Sequence, residues 1–215
     1  MATRSTPSLL LQMPRAFVWF LWLGALIVAL TSLRFLVLPL DLVMEHMAHY
    51  RPAVPMALYG HMIFGPLALA LVPFQLWQGL RRRNPVLHRR IGYLYALSVL
   101  SSALAALALV PHFQGSLFPA LGFIVSAILW IMTTARAIWL ARAGDYPGHR
   151  RWMLHSVALC FAAVTLRLIM GPLMAMGWTV LETYMITAWG GWLPNMLLVE
   201  WWLRRERRQR VAAAA

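Results

Sequence analysis

The sequence contains no lysine, a single cysteine and only six acidic residues among 215. One cysteine, Cys160, placed inside an apolar stretch, excludes a disulfide framework and any Cys-based metal motif. There is no phosphate loop, nucleotide fingerprint, His-Glu-x-x-His helix or nucleophile elbow, so no enzyme class is indicated. Charge is scarce too: 12% of residues are charged and 61% hydrophobic, a balance that a water-soluble domain of ordinary composition does not show. The nineteen basic residues are all arginine and give a formal charge of +13. They sit in short connectors and at the carboxyl end, beside hydrophobic segments, where they act as topology signals and headgroup anchors rather than nucleic-acid contacts.

What is present is a series of apolar segments, each long enough to cross about 30 Å of hydrocarbon with roughly 20 residues. The pattern predicts an all-α integral membrane helical bundle in one transmembrane domain over residues 1–215. Its six spans are expected near Phe17–Leu40, Met56–Leu80, Ile91–Val110, Leu117–Leu140, Trp152–Leu173 and Ile186–Leu203. Arg4 and Arg15 give the first segment a signal-peptide flavour, but it is too long and lacks a small-x-small site, so it reads as an uncleaved span. Residues 204–215 read as a basic cytoplasmic tail ending in a disordered alanine run. Alternating six spans collects nearly every arginine on one side and leaves Arg51, Asp41, Glu45 and Glu182 on the other. The positive-inside rule then places both termini in the cytoplasm and the protein in the inner membrane. Aromatics such as Trp19, Trp77, Trp139, Trp152 and Trp201 fall where this topology puts the interfaces.

An internal repeat emerges from the basic connectors. His88-Arg89-Arg90 opens the third segment and His149-Arg150-Arg151 the fifth, 61 residues later. A duplication of spans 2–3 and 4–5 would give a pseudo-two-fold four-helix core about an axis along the membrane normal, with spans 1 and 6 peripheral.

Ionisable residues within spans are functional candidates by default. Arg34, His61 and Arg167 share a depth of about 5–10 Å below the outer surface at 1.5 Å per residue. As neighbours they form a basic pocket for a small anion or lipid headgroup, with Asp41 and Glu182 as counter-charges and Gln75 on the His61 face. The plainer reading pairs Arg34 with Asp41 and ties Arg167 and His61 to backbone carbonyls. At the opposite end, His88 and His149 suggest a bis-imidazole site for haem b iron, with Arg89 and Arg150 for the propionates. The plainer reading there is an interfacial anchor for phosphates. His149, Ser156, Cys160, Ala163 and Arg167 share one helical face, as do His88, Gly92, Tyr95 and Ser102.

The run Gly60-His61, Gly65-Pro66, Ala68, Pro73-Phe74-Gln75, Arg81 and Pro85-x-x-His88-Arg89-x-x-Gly92-x-x-Tyr95 resembles the bacterial membrane proteins grouped as domain of unknown function 2306. So does the later run Leu121-Gly122-Phe123, Trp130, His149-Arg150-Arg151-Trp152-Met153, Ala158-Leu159 and Ala162 to Arg167. The resemblance implies a multi-pass membrane location and makes His61, His88, His149 and Arg167 motif positions, with no activity attached. Members tend to carry arginine at the position of His155, which therefore receives no role. Three functions are open at this point: a haem-binding electron carrier through His88 and His149, a transporter or binding protein for a small anion or lipid, and a non-catalytic subunit or assembly factor. The partners expected are the bilayer and, beyond it, a membrane complex or a second copy, not nucleic acid.

Overall fold

A computed structural model describes residues 15–213. Arg4 and the last two alanines, which enter the topology and tail readings, lie outside the described residues. Within them every regular element is helical, as the hydropathy pattern predicts. The principal helices are α1 (Arg15–Ser32), α2 (Pro55–Leu76), α3 (Gln78–Arg83), α4 (Pro85–Leu109), α5 (Leu117–Arg142), α6 (Tyr146–Cys160), α7 (Ala162–Ala175), α8 (Val180–Gly190) and α9 (Leu193–Ala212). Among the described residues, four stretches are long and apolar enough to cross a membrane: Pro55–Leu76, Pro85–His112, Leu117–Arg142 and Tyr146–Ala175, the last built from α6 and α7.

Polarity is distributed inside out. On α4, Ser98 and Ser102 are fully buried while Leu97 and Leu104 are 55% and 52% exposed. Water would reverse that arrangement; hydrocarbon favours it, because small hydroxyls satisfy one another or nearby carbonyls inside the bundle while leucines face lipid tails. Ser98 and Thr134 accordingly donate to the carbonyls of Leu94 at 2.8 Å and Trp130 at 2.7 Å.

The first and last hydrophobic segments are interrupted where sequence reading expects continuous spans. α1 stops at Ser32 rather than near Leu40. Thr31 and Ser32 bond back to the carbonyls of Ile27 and Val28, which loosens the helix end, and the chain then makes a tight turn at Arg34–Leu36 before Pro39. The last segment divides at Gly191 and Trp192, because Pro194, in the first turn of α9, has no amide proton to continue α8. α9 runs through the basic stretch to Ala212, so what reads as a tail is helical.

α2 packs along α4 and α5 along α6, and contacts of α4 with α5 and of α2 with α6 close a four-helix ring. α1 rests on α2 and α7; α8 and α9 rest on α5 and α6 from outside. Both basic connectors start the following helix in the same way. The Asn84 side chain accepts from the Leu87 amide, and the Asp145 side chain from the Gly148 amide, each at 2.9 Å, with a proline in the first turn. In the middle of the ring, fully buried Tyr95 meets Ser156 at 2.8 Å, and Ser156 meets Thr134 at 2.7 Å. Trp130 Nε1 donates to the Tyr95 oxygen at 3.4 Å, completing a satisfied polar centre.

Candidate functional site

Two cavities open toward opposite ends of the ring, and between them they collect the histidines, arginines and glutamine proposed as ligand-binding from the sequence: His61, His88, His149, Arg34, Arg89, Arg150, Arg167 and Gln75. The larger, 1690 Å³, lies at the arginine-rich end and is lined by His88, His149, Arg89 and Arg150. The two caps set the histidines at equivalent places, each four residues into its helix. The His88 amide donates to the Asn84 carbonyl at 3.1 Å and the His149 amide to the Asp145 carbonyl at 2.9 Å. His149 Nδ1 lies 2.9 Å from the Ala137 carbonyl, which can only accept. The proton of a neutral ring therefore sits on Nδ1 and leaves Nε2 with a free lone pair. His88 Nδ1 is buried and has no hydrogen-bond partner among the described residues.

Charges at this end are sorted by α9, whose two acids the sequence reading did not single out. Glu206 accepts from Arg150 at 2.9 Å and also pairs with Arg210. Glu200 pairs with Arg204 at 2.8 Å, Arg151 at 3.3 Å and His155 Nε2 at 3.4 Å. Burial pushes the Glu206 carboxyl up, but Arg150 and then Arg210 outweigh it and hold it below the usual carboxylate range. Arg150 is thus already engaged. Arg81, Arg89 and Arg142 line the cavity with no ion pair among the described residues. Gln75 belongs here and not beside His61: it lines this cavity, and its Nε2 donates to the His88 carbonyl at 3.3 Å.

The second cavity, 680 Å³, lies at the other end and is lined by Arg34, His61 and Arg167 together. His61 Nδ1 lies 3.1 Å from both the carbonyl and the hydroxyl oxygen of Ser102. Arg167 donates to the Ala163 carbonyl and to Ser32 Oγ, both at 2.9 Å. Arg34 donates from Nη1 to the Thr31 carbonyl at 3.3 Å and from Nε to the Val43 carbonyl at 3.2 Å. Neither suggested counter-charge reaches them. Asp41 pairs with Arg51 at 3.1 Å, and Glu182 is used in a capping box with Thr179. The connector between α1 and α2 adds Glu45, His46 and His49, which helical spacing had no means of placing. Desolvation first, then the charges of Arg34 and Arg167, lower the pKa of His46, so it is neutral at pH 7.

A family model described as a predicted membrane protein (DUF2306) matches residues 58–203. The match takes in His61, His88, His149 and Arg167 but not Arg34, His46 or Glu206. No curated protein and no solved structure matches the chain.

Proposed function

The chain belongs to the DUF2306 family of predicted membrane proteins, and on that footing we propose that it holds a b-type haem between His88 and His149 and carries electrons at its arginine-rich end. The supporting observation is the state of the two imidazoles on the wall of one cavity. One is fixed through Nδ1 with its Nε2 lone pair free, and the other has a buried nitrogen with no partner among the described residues. An unsatisfied buried polar atom costs about 1–3 kcal/mol, which a ligand in the cavity recovers. The second-sphere carbonyl on His149 is the arrangement that fixes tautomer and ring orientation in metal-ligating histidines. Arg81, Arg89 and Arg142 supply cations for propionates, with Arg150 secondary because Glu206 already holds it. When bound, haem supplies reversible one-electron chemistry. Detergent-purified protein from haem-replete cells should show a Soret band with α and β bands on reduction, and His88→Ala or His149→Ala should abolish them. Colourless wild-type protein ends this reading.

The same proposal includes six crossings with both termini in the cytoplasm and a duplicated core. Positions offset by the repeat support the duplication: Asn84 and Asp145 are both side-chain caps, and Tyr95 and Ser156, 61 apart, touch each other as residues near a two-fold axis would. In a Cys160→Ala background, thiol probes should reach Arg83→Cys and Ala143→Cys from one side of the membrane and Leu42→Cys from the other. Labelling of Arg83→Cys and Ala143→Cys from opposite sides removes both the topology and the paired histidines.

A further inference from the structure

From the second cavity we infer a separate binding site, independent of haem, for an amphiphile with one anionic headgroup, the headgroup on Arg167 and Arg34 and the apolar chain running inward past Leu69 and Trp130. Three observations carry this. The first is charge balance. Arg51, Arg150 and Arg151 each pair with a carboxylate, whereas half-buried Arg167 and the exposed Arg34 beside it at the mouth make, among the described residues, hydrogen bonds only to neutral oxygens. Two guanidiniums face one carboxylate at the cavity wall, Glu45, so the mouth retains positive charge. A cation held at membrane depth without an anion is expensive, and a ligand headgroup supplies the missing partner.

The second is donor geometry. Arg167 is oriented by Ala163 and Ser32, which occupy Nη1 and Nη2 but leave further N–H groups of the fork. His46 adds a neutral imidazole at the mouth. The third is shape. The lining continues from His61 through Met62 and Gly65 to Leu69 and ends at Trp130 and Cys160 in the core. His61 to Leu69 is eight residues of helix, about 12 Å, room for the first part of an acyl chain. Polar donors at one end and apolar walls below match an amphiphile better than a small inorganic anion.

Fatty acids and anionic phospholipids share this chemistry, and the experiment separates them. Delipidated, detergent-purified protein is titrated with oleate, with phosphatidylglycerol and with phosphatidylcholine as the zwitterionic reference, reading thermal stabilisation. Stabilisation by oleate or phosphatidylglycerol well beyond that by phosphatidylcholine is expected, and whichever of the two acts identifies the source. Arg167→Gln should weaken the half-saturation about tenfold, the scale of one charge-assisted hydrogen bond. Arg136→Gln, an exposed arginine that lines neither cavity, should leave it unchanged, and Arg167→Lys, which keeps the charge, should fall between. Should Arg167→Gln fold poorly, Arg34→Gln reports on the same mouth from a different element. Equal stabilisation by all three amphiphiles, or an undiminished response in folded Arg167→Gln and Arg34→Gln, overturns the site.

Discussion

Gly122→Leu is expected to leave almost no folded protein. A Cβ at this position on α5 would stand 2.8 Å from the Ala188 carbonyl oxygen and 2.9 Å from Trp189 Nε1, both on α8. Backbone oxygen cannot turn aside as the end of a side chain can, so the whole of α8 must retreat. Trp189 is itself tied to α5, donating to the Phe118 carbonyl at 3.1 Å, and that bond is lost as α8 moves. Overpacking ordinarily costs about 1–3 kcal/mol, and a clash between two helix backbones that adds a whole isobutyl group belongs at or above the top of that range. Gly60→Ala is the control. Its Cβ would meet the Ala105 Cβ at 3.5 Å, an ordinary contact, so the variant should keep its thermal midpoint. Fluorescence-detected size-exclusion chromatography of both variants checks the contrast. A monodisperse Gly122→Leu with an unchanged midpoint contradicts the α5–α8 contact.

Why Gly122 escapes a reading of spacing while His149 does not follows from what each signal contains. Helical periodicity fixes which residues share a face, and on α6 and α7 it connects the two cavities correctly: His149 lines one, Ser156 is buried between, and Arg167 lines the other. Depth, counted at 1.5 Å per residue, accounts for His61 and Arg167 meeting at one cavity, which Arg34 joins from the turn after α1. Gln75 shows what happens when a face is read without depth. It is 14 residues beyond His61, about 21 Å along the helix, so the shared face delivers it to the opposite cavity. His46 lies in a connector with no period, and nothing in the sequence aims it at Arg34 and Arg167. The early end of α1 depends on Thr31 and Ser32 bonding to their own helix, a local competition that hydropathy does not record. The Arg150–Glu206 pair joins residues 56 apart. It exists because α9 docks on α6, a tertiary choice, so an arginine that sequence reading leaves free for a propionate is already bound.

That docking gives the second large effect: Glu206→Ala should release the end of α9. Glu206 receives Arg150 and Arg210, and its side chain is only 10% exposed against 25% for Arg150, so the alanine variant leaves a largely covered guanidinium with no counter-charge. Hydrogen bonds to charged groups contribute about 1.5–3 kcal/mol. The basic segment past Leu203 has little else to hold it, because Arg204, Arg205, Arg207 and Arg208 are exposed. Acid should do the same to the wild type. Arg150 and Arg210 hold the folded-state pKa of Glu206 below its ordinary value, against the upward push of burial. The pair's stabilisation is therefore complete above the usual glutamate pKa of about 4.3 and is lost as pH falls through the depressed folded value. A nitroxide on Gln209→Cys in the Cys160→Ala background reads this directly. The wild type should give a broad, ordered spectrum at pH 7 that narrows on acidification below about pH 4, whereas Glu206→Ala should be narrow at pH 7 with no acid step. Identical spectra for the two at pH 7 mean that α9 is held by something other than this carboxylate.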